Sequence, residues 1–121
     1  MVDDETILLS GIIPIISEVI PQATITGFSR PSEALEYSGK NDVSIAFLDI
    51  ELGKVSGFDL CEKLLEINPR TNIVFLTSYQ DYAMEAWKTR ASGFIVKPLS
   101  RKDVEEQLLK LRFPITGMIG E

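Results

Sequence analysis

Five polar residues carry the chemical interest of this chain: Asp3, Asp4, Asp49, Thr77 and Lys97. Each directly follows a short apolar run. Runs of that kind predict buried strands, so these residues would sit at strand ends. Three carboxylates brought together repel one another. A hard divalent cation relieves that repulsion, and magnesium prefers one or two carboxylates with carbonyls, waters and phosphate oxygens. The backbone carbonyl of Glu51, two residues past Asp49, is placed to be a further ligand. With the cation bound, a carboxylate can act as a nucleophile toward phosphorus. A hydroxyl from Thr77 and an amine from Lys97 would then contact phosphoryl oxygens and stabilise charge in transfer. Any one of these residues alone is an ordinary polar strand end. The set together predicts a phosphoacceptor site.

The elements that must position them alternate. Thr6 to Ile20 has a wide apolar helical face, with Pro14 inside it predicting a kink. Thr24 to Phe28 reads as a short strand. A helix follows over Arg30 to Tyr37, with Pro31 suited to its first turn. Ser44 to Asp49 and Asn72 to Thr77 are near-continuous apolar runs, the pattern of strands buried on both faces. Between them Gly57 to Ile67 is amphipathic and stopped by Asn68-Pro69. Asp81 to Ala91 reads as a helix and Gly93 to Val96 as a strand ending at Lys97-Pro98. Ser100 caps a last helix running to about Leu111. Alternating strands and helices with short links predict an α/β, doubly wound parallel sheet. Its ligand crevice lies at the carboxyl ends of the strands.

Composition narrows the field. The chain has 121 residues, 45% of them hydrophobic and 25% charged, which suits one globular domain. The net charge of -6, from 12 basic and 18 acidic residues, argues against direct nucleic-acid binding, which needs a basic surface. One cysteine forbids an internal disulfide, and the absence of histidine excludes His-dependent triads. The apolar stretch from Ile7 to Ile20 is too short and too polar to span a bilayer, and no signal peptide is visible. The expected compartment is the cytoplasm.

At this point the residues resemble a family. The chain is similar to the receiver domain of two-component response regulators. The matching pieces are V-D-D-E at Val2 to Glu5, F-L-D-I-E-L at Phe47 to Leu52, Gly57, F-L-T-S at Phe75 to Ser78 and G-F-I-V-K-P at Gly93 to Pro98. They run in order over nearly the whole chain. The resemblance implies a flavodoxin-like, five-stranded parallel sheet in order 2-1-3-4-5. It implies that Asp49 accepts a phosphoryl group from a sensor histidine kinase. Asp4 and Asp49 would bind Mg2+ directly and Asp3 through water, with the Glu51 carbonyl. Thr77 and Lys97 would hold the phosphoryl oxygens. It also implies a switch, in which Thr77 moves toward the phosphoryl group and Phe94 swings inward. An effector domain or a homodimer would engage the fourth helix, fifth strand and fifth helix. The Lys97-Pro98 bond is typically cis in this family.

The sequence departs from the pattern in places. Only Met1 and Val2 precede the acid pair, so the first strand is expected to be truncated. Leu52-Gly53 replaces a usual Met-Pro. Tyr79 to Trp87 with Ala91-Ser92-Gly93 resembles the receivers fused to DNA-binding transcription domains. The receiver is therefore expected over residues 1–111, with 112–121 a linker or tail; packing of that tail on the sheet is the alternative. Cys61 is expected as a core filler, and Glu62, Lys63 and Glu66 as a solvated helix face. Trp87 is either packed or part of a partner surface. Two other functions fit less well. A magnesium aspartyl-phosphatase wants a second Asp where Glu51 stands. A pseudo-receiver acting without phosphorylation is favoured by the stunted first strand and argued against by the intact acid pair, Thr77 and Lys97.

Overall fold

The computed structural model describes residues 6–21, 24–52, 55–86 and 88–113. Helix α1 (Thr6–Val19) continues through Pro14. Helix α2 (Pro31–Lys40) begins on its proline, whose missing N–H has no role in a first turn. Strand β1 (Ile45–Asp49) follows, then two short strands, β2 (Glu51–Leu52) and β3 (Val55–Ser56), which pair antiparallel. Helix α3 (Gly57–Ile67) is capped by Ser56, whose hydroxyl accepts from the Phe58 amide at 3.1 Å. Strand β4 (Asn72–Thr77) leads through a 3-10 turn at Gln80–Tyr82 into helix α4 (Ala83–Ala86). Strand β5 (Gly93–Val96) and helix α5 (Arg101–Leu108) close the described chain. At the start of α5, Ser100 and Asp103 form a reciprocal capping box.

Strands β1, β4 and β5 form one parallel sheet in the order β1-β4-β5. Asp49 lies opposite Leu76, and Thr77 opposite Val96. This order is the 3-4-5 portion of the expected sheet. The predicted first strand falls on residues 1–5, outside the described residues.

The two faces of the sheet build two cores. Ala46, Leu48, Ile73 and Phe75 pack with Leu60, Cys61, Leu64 and Leu65 of α3 and with Ala34 of α2. Phe47, Val74, Leu76 and Ile95 pack with Ile12 and Ile16 of α1 and Val104 of α5. Successive strand residues thus go to opposite faces, and both faces are covered by helices. The fold is the predicted doubly wound α/β architecture.

Two elements differ from expectation. Thr24 to Phe28 has a single bridge residue at Phe28 rather than a ladder. Gly27 offers no side chain to pack, which weakens a strand there. The helix expected over Asp81 to Ala91 is confined to Ala83–Ala86. Thr89 explains the early stop: its hydroxyl donates to the Ala86 carbonyl at 2.7 Å and accepts from the Ala91 amide at 3.1 Å. That local pairing competes with further helical turns. Trp87 lies outside the described residues.

Helix α5 also tends the flank of β5. The Gln107 amide donates to the Phe94 carbonyl at 3.2 Å. The end of the Gln107 side chain lies where a Cβ on Gly93 would be, so a larger residue there would displace this amide from β5.

Candidate functional site

The carboxyl ends of β1, β4 and β5 bring three of the predicted residues to one edge of the sheet. Asp49 is the last residue of β1, Thr77 the last of β4, and Lys97 follows β5. The Lys97 Nζ donates to Asp49 Oδ2 at 3.2 Å, with side chains only 11% and 8% exposed. An ion pair so removed from water is far stronger electrostatically than a surface pair, and each partner depends on the other.

The backbone locks these strand ends together. The Ile50 amide donates to the Leu76 carbonyl at 3.1 Å, and the Lys97 amide to the Thr77 carbonyl at 2.7 Å. The Lys97-Pro98 peptide bond is cis, as the resemblance implied. Thr77 is 1% exposed, and its hydroxyl accepts from the Tyr79 amide at 3.2 Å.

Gly57 has a steric reason. Its amide donates to the Ile50 carbonyl at 2.7 Å. A Cβ there would strike the Asp49 carbonyl oxygen and lie 2.7 Å from the Ile50 Cα. Only glycine allows α3 to start this close to the end of β1.

The rest of the predicted set divides. Glu51 lies in β2, two residues past Asp49, so its backbone runs beside the site. Asp3 and Asp4 lie outside the described residues. Among the described residues no group of three acidic, His or Cys side chains gathers as a metal cluster. Phe94 is half-buried in β5 and packs against the α2–α3 core.

Sequence reasoning missed an aromatic series beside the site. Tyr79 packs on Tyr82 at 6.1 Å between centroids, Tyr82 on Phe58 at 6.1 Å, and Phe58 on Phe75 at 5.0 Å. Tyr79 was legible only as part of a family-like segment, because the contact joins residues from three elements.

Comparison with known proteins extends the picture. The family model for the response regulator receiver domain matches residues 1–109. The sensory transduction protein LytT of Enterococcus faecalis is 30% identical over 110 residues, 91% of this chain and 46% of the relative. The transcriptional regulatory protein LytR of Staphylococcus aureus is 28% identical over 112 residues, 93% of this chain and 46% of the relative. The chain thus spans about half the length of these curated relatives. Among solved structures, a response regulator from Burkholderia pseudomallei superposes with a TM-score of 0.73 at 24% identity, covering 92% of this chain and 64% of that one. That structure carries a phosphorylated aspartic acid, a calcium ion and citrate.

Proposed function

This chain belongs to the response regulator receiver family of two-component systems, and from that premise we propose that Asp49 is its phosphoacceptor. The observation that carries the proposal is the buried Asp49–Lys97 pair at the carboxyl edge of the sheet, with Thr77 ending the intervening strand. The phosphorylated aspartic acid of the Burkholderia relative supports the same reading.

In the transfer, an Asp49 carboxylate oxygen attacks the phosphorus of a phosphohistidine on a sensor kinase. The new P–O bond forms as the P–N bond breaks, and the electron pair leaves with the imidazole nitrogen. Lys97 then exchanges its partner, from the carboxylate to a phosphoryl oxygen. The Thr77 hydroxyl turns from the Tyr79 amide toward another phosphoryl oxygen. Water later hydrolyses the acyl phosphate. The chain is in this account a switch that modifies itself, and not a turnover enzyme.

Asp49 and the Glu51 carbonyl are donors of the kind magnesium takes, and Asp3 and Asp4 would complete the set. When bound, the ion neutralises charge on the carboxylates and the incoming phosphoryl group.

Phe94 is the proposed second half of the switch. It lines a cavity of about 300 Å³ with Ala83, Ala86, Ala91, Gln107 and Lys110, between α4, β5 and α5. Inward rotation of its ring would reshape that wall, which is the surface proposed for an effector domain or a second copy. Similarity to LytT and LytR points to transcriptional regulation as the output, in the cytoplasm, through a separate DNA-binding unit. Residues 1–111 are the proposed receiver. No helix among the described residues is long and apolar enough to cross a membrane.

The test is acetyl phosphate or a cognate kinase with magnesium. Wild type should take up one phosphoryl group and Asp49→Asn none. Equal labelling of both would remove the acceptor assignment.

A further inference from the structure

The end of the sheet opposite Asp49 holds a polar network that the switch does not use. Asn72, the first residue of β4, is 1% exposed. Its Nδ2 donates to the Phe113 carbonyl at 2.9 Å and to the Ser44 carbonyl at 3.1 Å. Its Oδ1 accepts from the Phe113 amide at 2.9 Å and from the Ser92 hydroxyl at 2.9 Å. The Ser92 hydroxyl in turn accepts from the Arg112 amide at 3.3 Å. Two guanidinium groups lie over the Phe113 ring, Arg70 at 5.2 Å and Arg112 at 5.9 Å from its centroid.

The pairing with Phe113 has a specific form. One side-chain amide meets both the N–H and the C=O of the same residue, as a neighbouring strand would. Recognition therefore falls on the backbone and leaves the Phe113 side chain outside the hydrogen-bonding scheme. Every polar atom of the Asn72 amide is satisfied, which a buried amide requires. A leucine would fill the same space for the core alone. The amide is needed for its partners, and the most distant of these in sequence is the chain leaving α5.

We propose that Asn72 and Ser92 form a clamp that reads the backbone of residues 112–113 and fixes where the chain departs from the receiver. The departing segment is thereby held at the amino ends of the strands. Asn72 and Thr77 are the two ends of β4, five steps or roughly 16 Å apart. One fully buried strand thus carries the proposed switch hydroxyl at one end and the departure clamp at the other. The use of the clamp, to orient the segment that runs on toward an effector, rests on the signalling reading above. The hydrogen bonds themselves do not.

Amide hydrogen exchange on the full chain tests this, with tryptic cleavage after Arg112 as a second readout. In wild type the Phe113 amide should exchange well below the free-peptide rate. Asn72→Ala should raise its exchange and the cleavage after Arg112 at least about tenfold. Ser92→Ala, which removes the hydroxyl's bonds to Asn72 and Arg112 at a half-buried position, should raise both roughly fivefold and decides the matter if Asn72→Ala fails to fold. Phe113→Ala keeps the N–H and C=O and should retain most of the protection. Free-peptide exchange at Phe113 in wild type would overturn the clamp. So would a folded Asn72→Ala or a Ser92→Ala with the wild-type rate. Loss of protection in Phe113→Ala equal to that in Asn72→Ala would assign the contact to the ring instead. Acetyl phosphate labelling, measured in parallel, should be unchanged in the clamp variants. Failure of wild type to label would count against the phosphoacceptor and leave the exchange result standing.

Discussion

Burial sets what a single side chain can do here. Cys61 is 1% exposed on the inward side of α3, and removal from water pushes its thiol from the ordinary 9.0 up to about 11. Arg90 opposes that rise and Glu62 adds to it, both more weakly. The sign of the pH effect follows. Below about pH 9 the thiol is protonated in both the folded and unfolded chain and stability is unaffected by it. Between about 9 and 11 only the unfolded chain releases the proton, so stability falls as pH rises, by at most roughly 3 kcal/mol. Urea unfolding of wild type and Cys61→Ala should diverge in slope above about pH 9; parallel profiles would refute it. The core role of Cys61 was legible from its helical position, as were the exposed Glu62, Lys63 and Glu66. The Asn72 network was not. It joins residues 41 apart through a side chain and a backbone, and no periodicity marks such a pair.

At the scale of elements, α3 starts against the backbone at the end of β1. Gly57→Ala would drive a methyl group into the Asp49 carbonyl, and backbone cannot rotate away as a side chain can. The expected result is a loss of about 1–3 kcal/mol of stability, together with slower labelling of Asp49. Wild-type labelling and stability in this variant would show that the junction yields freely. The strands at this edge were readable because apolar runs ending in Asp49, Thr77 and Lys97 have few alternative structures. Helix α4 was not readable to its end. Its apolar spacing continues past Ala86, but the Thr89 hydroxyl offers the backbone a competing turn, and that local chemistry overrides the pattern. Thr24 to Phe28 failed for a related reason, since short strands take their ladders from neighbours and not from their own composition.

Across the molecule, one sheet serves two cores, so the two faces must unfold together. Phe75 supports the α2–α3 side and Leu76 the α1–α5 side, and both are fully buried. Phe75→Ala should cost about 3–5 kcal/mol and Leu76→Ala about 2–5 kcal/mol. Each should shift a single cooperative transition seen alike by tyrosine fluorescence and circular dichroism. Separate transitions for the two variants would mean that the faces are independent. The layered architecture was legible because runs buried on both faces can belong only to a covered sheet.

Gln107 leaves one mark on how copies of this domain can meet. By donating to the Phe94 carbonyl it occupies the outer margin of a strand only four residues long. Short, blocked margins resist zipping onto foreign strands. A second chain meeting the domain on that side would find side-chain shape and charge to match, and little free strand to extend.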